Sequence, residues 1–202
     1  SEMCIRDRAS AAQIQAALSA NNNVTINTYP ATDPVLGDQE GSITVGTAIN
    51  STGSGSLTLN GLGKVAIGAQ VNVNTGNLTI LANGATQTAA LLGNTLTVTA
   101  GTIKLADAAN QFATVILNSK DATGATTTVD TRYRDLNNYT VTISGTPASG
   151  NLQLASDTGT VTIGSLNGAN GVQGLLLGTS NDTAASTYFA STPTISIQTL
   201  AA

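Results

Sequence analysis

Histidine and tryptophan are absent from this 202-residue chain, a single cysteine stands at position 4, and only 9% of residues are charged and 3% aromatic. Each shortage removes a class of chemistry. Without His there is no His-based catalytic triad and no His-containing metal site. One cysteine forbids an intrachain disulfide. Seven Lys and Arg against eleven Asp and Glu give a formal net charge of −4. Nucleic acid and anionic membranes both need clustered cations, so neither is an expected partner. There is no run of about 18 apolar residues to span a membrane as a helix, and no basic start followed by an apolar signal core. Phosphate-binding loops of the Gly-x-x-x-x-Gly-Lys or Gly-x-Gly-x-x-Gly type are missing too. The expectation is a chain without catalysis, cofactor or metal.

What is present is a motif that keeps returning: apolar, Thr or another small residue, apolar, then Asn or Gly. It occurs at Val24-Thr-Ile26, Ile43-Thr-Val45, Leu57-Thr-Leu59, Leu78-Thr-Ile80, Leu96-Thr-Val98, Val115-Ile-Leu117, Val141-Thr-Ile143, Val161-Thr-Ile163 and Ile195-Ser-Ile197. Several gaps, such as Val24 to Ile43, Leu78 to Leu96 and Val141 to Val161, lie near 20 residues, a period that marks a stacked solenoid. Alternation with Thr on the second side means burial on one side only. Ordinary parallel sheets are covered on both faces, but a parallel β-helix buries one face of each strand in a shared interior and leaves the other wet. Val65-Ala-Ile67, Val71-Asn-Val73, Ile103-Lys-Leu105, Leu152-Gln-Leu154 and Leu175-Leu-Leu177 supply further strands between the main ones. The fold expected is therefore all-β, a parallel β-helix of roughly nine coils. The alternative is an antiparallel β-sandwich array, favoured by the hairpin-compatible Asn60-Gly61, Asn83-Gly84 and Asn167-Gly168.

Residues 1–8 hold the only Met, the only Cys, two acids and two arginines. This octet resembles a translated sequencing adapter, and it is set aside as a non-native tail on a fragment of a longer protein. Residues 9–22 read as a short helix and connector: Ser10 and Gln13 have capping-box spacing, and Ile14 with Leu18 makes an apolar stripe. Such a helix suits the open end of a β stack. Residues 23–202 form the solenoid, with expected insertions at 29–41, where Pro30 and Pro34 oppose a central strand, and at 119–138.

The runs Ala11-Ala12-Gln13-Ile14 to Leu18, Asn23-Val24-Thr25-Ile26-Asn27, Gly41-Ser42-Ile43-Thr44-Val45 and Ser56-Leu57-Thr58-Leu59-Asn60 resemble the β-strand repeats of filamentous haemagglutinin-like exoproteins and autotransporter-type bacterial adhesins. Ala109-Asn110-Gln111-Phe112 and Leu136-Asn137-Asn138-Tyr139-Thr140-Val141 resemble a second repeat style of the same giant proteins. The resemblance implies a right-handed parallel β-helix, exported by two-partner secretion or a similar route. It further implies display at the outer-membrane cell surface or release, and a structural role in attachment to a host or surface receptor such as a glycan. Neighbouring coils of the parent chain would be its other partners. The family's secretion domain, with its Asn-Pro-Asn-Gly-type motif, is not among these residues.

Few residues are candidates for chemistry. Sugar hydrolysis wants paired carboxylates, and the acids are scattered. Asp33, Asp38 and Glu40 have the oxygen ligands a Ca²⁺ ion takes, without the spacing of an EF-hand loop. Asp130-Thr-Arg132-Tyr133-Arg134-Asp135 is the densest charged and aromatic patch. Arg132, Tyr133 and Arg134 read either as a recognition loop, since Arg and Tyr are favoured contact residues, or as an outward strand with self-paired charges. Thr-x-Thr recurs at Thr95/Thr97/Thr99, Thr140/Thr142 and Thr158/Thr160/Thr162. A flat Thr ladder offers an ice- or glycan-binding face, although Thr is also simply favoured on exposed strands. Leu152-Gln-Leu154 and Val65-Ala-Ile67 are expected to interrupt that ladder.

Overall fold

Strands buried on one side only have to close on themselves, and here they close into a coil. The structure, a computed structural model, describes residues 9–28, 41–120, 131–145, 150–166, 172–177 and 194–197. Helix α1 (Ala11–Ser19) is followed by β1 (Val24–Asn27), β2 (Ile43–Val45), β3 (Ile49–Asn50), β4 (Leu57–Asn60), β5 (Lys64–Ile67), β6 (Val71–Asn72), β7 (Asn77–Gln87) and β8 (Leu91–Leu92). Then come β9 (Thr95–Leu105), β10 (Thr114–Asn118), β11 (Thr131–Asp135), β12 (Tyr139–Gly145), β13 (Gly150–Ser156), β14 (Thr160–Leu166), β15 (Val172–Leu177) and β16 (Thr194–Ile197).

Every pairing among these strands is parallel, which makes the molecule a parallel β-helix and excludes the antiparallel sandwich array. Three ladders run along it. The first stacks β1, β4, β7, β9, β10, β12, β14 and β16; the second stacks β2, β5, β7, β9, β11, β13 and β15; the short third stacks β3, β6 and β8. The long strands β7 and β9 serve the first two ladders at once, turning the corner at Asn83-Gly84 and Ala100-Gly101. Asn60-Gly61 makes the same corner between β4 and β5, so these Asn-Gly pairs are coil bends and not hairpins. The pair 167–168 lies outside the described residues.

The coil is less regular than a 20-residue period. Ile43-Thr-Val45 does not follow Val24-Thr-Ile26 in one stack: it belongs to the second ladder, beside Val65-Ala-Ile67. Val24 stacks on Leu57 instead, 33 residues on. Leu57, Leu78, Leu96, Val115 and Val141 then follow in register. The next step is also shifted, because Val161 pairs with Tyr139, and Val141 pairs with Ile163. Both faces of a coil bury one side of a short strand, so both carry the same alternation, and the motif alone does not say which face it lies on. Among the described residues the first ladder accordingly has eight strands; seven steps of about 4.8 Å make it about 34 Å long.

The interior is a set of apolar columns. Leu57, Leu78, Leu96, Val115, Val141 and Ile163 are all buried, as are Leu59, Ile80, Val98, Leu117 and Ile143 beside them. Ile43 and Val45 also point inward, from the second face, and Val24 and Ile26 are only half-buried because they form the outermost rung. A T-shaped pair of rings, Tyr133 and Tyr139 with centroids 5.1 Å apart, fills the interior where β11 meets β12.

Helix α1 closes the lower end, as its stripe requires. Leu18 is fully buried and plugs the coil. Polar side chains of the helix and its C-terminal turn take up main-chain donors of the first coil: Gln15 Oε1 accepts from Asn50 N–H (3.0 Å), Ser19 Oγ from Thr52 N–H (3.2 Å), Asn21 Oδ1 from Ser54 N–H (2.8 Å) and Asn23 Oδ1 from Ser56 N–H (3.0 Å). That satisfies a run of backbone that would otherwise be an open edge. The expected capping box is not formed, since the Ser10 side chain makes no cap bond. The helix ends in a Schellman turn: Asn21 is left-handed (φ 65), its N–H donates to Leu18 O, and Asn22 N–H donates to Ala17 O. Gly55 is required at the junction, because a Cβ there would run into the main chain of Leu18 and Asn22.

Residues 29–40 and 121–130 lie outside the described residues, and with them Asp33, Asp38, Glu40 and Asp130. The second insertion is nevertheless shorter than 119–138, since residues 131–135 form β11, a regular rung of the second ladder.

Candidate binding surfaces

Two long outward faces are left by the coil, and they differ in chemistry. The part of every strand that belongs to the first ladder contains no Asp, Glu, Lys or Arg. Its outward positions align. Thr25, Thr58, Thr79 and Thr97 are successive cross-strand neighbours, followed by Ile116 and Thr142. Two residues upstream along the strands, Thr95, Thr114 and Thr140, followed by Thr162, make a second row. Neighbours within a row are about 4.8 Å apart, and the rows are about 6.6 Å apart, because alternate residues of a strand share a face. The expected interruptions are not on this face: Val65-Ala-Ile67 and Leu152-Gln-Leu154 lie in β5 and β13, on the second ladder. The Thr rows thus run over more rungs than the sequence allowed, with Ile116 as a break in the first of them.

The second face carries the charge. Lys64 in β5, Lys104 in β9, and Arg132 and Arg134 in β11 all belong to it. Arg132, Tyr133 and Arg134 are therefore part of a strand and not of a loop. Tyr133 points inward, 1% exposed, with its hydroxyl donating to Asp135 Oδ2 at 2.6 Å. Arg134 forms a bidentate pair with Asp157, Nε to Oδ1 at 2.6 Å and Nη2 to Oδ2 at 2.7 Å, tying one coil to the next. Of the triplet, only Arg132 stands in the outward row next to Lys104 and Gln153. Arg134 behaves as the paired strand charge that the second reading of the patch expected.

Asp135, which the sequence offered only as the last residue of the charged patch, is the most constrained acid in the described structure. It is fully buried, accepts from Phe112 N–H (3.0 Å) and Tyr133 Oη–H on one oxygen, and from Asn137 N–H (2.9 Å) on the other. Burial pushes its carboxyl up from the ordinary 3.8 to about 6, against the hydrogen bonds from Tyr133, Asn137, Phe112 and Leu136, which pull it down. Burial also raises both Tyr133 and Tyr139 well above the usual tyrosine value. Beside this group lies a second buried polar node. Asn110 Oδ1 accepts from Leu91 N–H and Gln87 Nε2 (both 2.8 Å), while its Nδ2 donates to Arg134 O at 2.9 Å. One side chain so fastens three successive coils. Spacing gives no clue to the ties between coils at either node, because the partners in neighbouring coils lie 19 to 24 residues away through coils of unequal length.

Among the described residues no three His, Cys, Asp or Glu side chains gather in a way that could hold a metal, and no helix is long and apolar enough to cross a membrane. No protein-family model, curated protein or solved structure matches the chain.

Proposed function

We propose that the chain is a rod segment of a large bacterial exoprotein, secreted or displayed at the outer-membrane surface, that acts in attachment to a cell or other surface. The observation that carries this reading is the uninterrupted first ladder: eight parallel rungs with an interior of stacked Leu, Val and Ile and an outward face free of charge. A column of this kind presents the same small polar chemistry at every rung, which suits repeated weak contacts with an extended surface. Nothing in the reading calls for catalysis. The test is adhesion: beads coated with the purified chain are measured for retention on epithelial cells, on bacterial cells and on immobilised glycans. Retention on at least one surface above uncoated beads is expected; none on any of them would overturn the proposal.

The aligned Thr rows favour a second reading, an ice- or glycan-binding face. A flat array of hydroxyls and methyls at regular spacing matches a target that is itself periodic. Thr97→Tyr leaves the interior untouched and breaks the flatness of the row. If this reading holds, the chain slows ice recrystallisation or binds an insoluble glycan, and the variant loses that effect.

A further inference from the structure

We infer that α1 is a lid over a latent stacking edge, and that with the lid displaced the lower end of the coil takes the upper end of a second copy of this chain. This goes beyond the attachment reading and does not depend on it. The helix and its turn stand where a further coil would stand. Ser56 Oγ accepts from Asn77 N–H, one coil up, at 3.1 Å, and Asn23 Oδ1 accepts from Ser56 N–H in the same way. The close backbone approaches follow the same succession. A Cβ on Gly93 would crowd Gly76 O, one on Gly76 would strike Gly55 O, and one on Gly55 would strike Asn22 O. Each coil rests on the one below it, and the lowest rests on the helix turn.

Beneath the lid lies an edge of a kind that folded proteins rarely leave open. Val24 and Thr28 N–H donate upward to Ser56 O and Asn60 O, so alternation turns the main chain of Thr25 the other way. Val45 O accepts from Gly68 N–H, so Thr44 likewise faces down. Both residues are exposed. Sheet edges are ordinarily blunted by charge, proline or a bulge. Residues 9–28 and 41–63 contain no Asp, Glu, Lys, Arg or Pro, and β1 and β2 pair with β4 and β5 without a shift in register. Among the described residues, α1 is what stands in the way of a further coil.

The lid is lightly held. Its nine residues are too few for a stable isolated helix. Ser10 makes no side-chain cap bond, no acid lies in the first turn and no base in the last. Leu18 is its one fully buried side chain. The helix pairs with no strand, so it swings away on residues 20–23 while every ladder stays intact. The occupant follows from the interface being continued. Each coil meets the next through parallel pairing, so the strands that fit below β1 and β2 are those of another copy's upper end, where β16 and β15 are the last described rungs. A head-to-tail contact of this kind does not close on itself, and its product is a filament.

Two measurements on the full chain test this. In native-state hydrogen exchange of the parent, the amides of Asn50, Thr52 and Ser54, held by the helix and its turn, should exchange together and about tenfold or more faster than those of Val71 and Val73, held by the coil above. Sedimentation velocity then follows association over a range of concentrations. Leu18→Asp expels the plug and should give a growing series of oligomers, seen as filaments by electron microscopy, while the parent and Ala12→Asp, which puts the same charge on the exposed side of the helix, stay monomeric. The double variant Gln15→Ala with Ser19→Ala keeps Leu18 and should associate about tenfold more readily than the parent; it decides the matter if Leu18→Asp loses its far-UV β signal. Exchange at Asn50, Thr52 and Ser54 as slow as at Val71 and Val73 would overturn the proposal. So would a folded Leu18→Asp that stays monomeric or stops at a closed dimer, a double variant no more associated than the parent, or equal association in Ala12→Asp.

Discussion

Protonation of Asp135 should make the β-helix more stable, not less. The carboxyl is fully buried, and its pKa in the folded chain is about 6 against 3.8 when it is free in water. Between those values the folded state binds more proton than the unfolded one, so stability falls as pH rises. The contribution is present in full below pH 3.8 and is lost as pH climbs through 6. Across the whole interval the difference is worth about 3 kcal/mol, and between pH 5 and pH 7 about 1.4 kcal/mol. The comparison variant is Asp135→Asn. Its amide has one oxygen where the carboxylate has two, so either Phe112 N–H or Asn137 N–H loses its acceptor, at a cost of about 1–3 kcal/mol. The variant does not titrate. Urea unfolding followed by far-UV circular dichroism at pH 5, 6 and 7 gives the stability of both proteins. Subtracting the variant's pH slope from that of the parent removes the other acids from the comparison. The parent should gain about 1 kcal/mol more than Asp135→Asn on going from pH 7 to pH 5. Parallel slopes, or a smaller gain in the parent, would refute the assignment of a raised carboxyl at this position.

Two further perturbations probe the interior. Leu96, fully buried between Leu78 and Val115, should not tolerate a charge: Leu96→Asp is expected to cost several kcal/mol, about 4 or more, whereas Thr97→Asp on the outward face stays within about 0.5 kcal/mol, both read by urea unfolding. Equal costs would mean that the inward and outward sides are reversed. Asn110→Ala strands the Leu91 amide and the Arg134 carbonyl inside the coil and should cost about 2–4 kcal/mol; a loss below about 0.5 kcal/mol would show that the three-coil tie carries no weight.

Much of this architecture is legible in the residues because one-sided burial leaves a simple trace. The triplets at Leu57, Leu78, Leu96, Val115, Val141 and Val161 each present two buried apolar residues around an outward one, and the helix with Leu18 as its anchor is visible as an interrupted apolar stripe. Position within the coil is not legible. Ile43-Thr-Val45 and Leu57-Thr-Leu59 have the same pattern, yet they lie on different faces, and only coil length distinguishes them. The step from Val24 to Leu57 spans 33 residues and that from Leu78 to Leu96 only 18, so no single period sorts the triplets. The same irregularity hides the surface rows. Lys104, Arg132 and Gln153 become neighbours only once β9, β11 and β13 are placed side by side. Arg132-Tyr133-Arg134 looked like one patch because adjacent residues were counted together, but strand alternation turns Tyr133 into the core and leaves the two arginines with different surroundings.

The central claim is that Ile43–Val45 belongs to a second face of a parallel coil and stacks on Val65–Ile67. Disulfide trapping tests it directly, because paired Cα atoms of neighbouring strands fall within the range a disulfide spans and the single thiol of the chain, Cys4, can be removed as Cys4→Ser. In that background, Thr44→Cys with Ala66→Cys places two thiols at registered outward positions of β2 and β5. Thr44→Cys with Thr58→Cys places them where a hairpin pairing Ile43–Val45 antiparallel to Leu57–Leu59, Thr44 opposite Thr58, would bring them together. Under mild oxidation the first pair should form an intramolecular crosslink rapidly and without loss of β structure, and the second should not. Efficient crosslinking of Thr44→Cys with Thr58→Cys, and none with Ala66→Cys, would contradict the parallel β-helix.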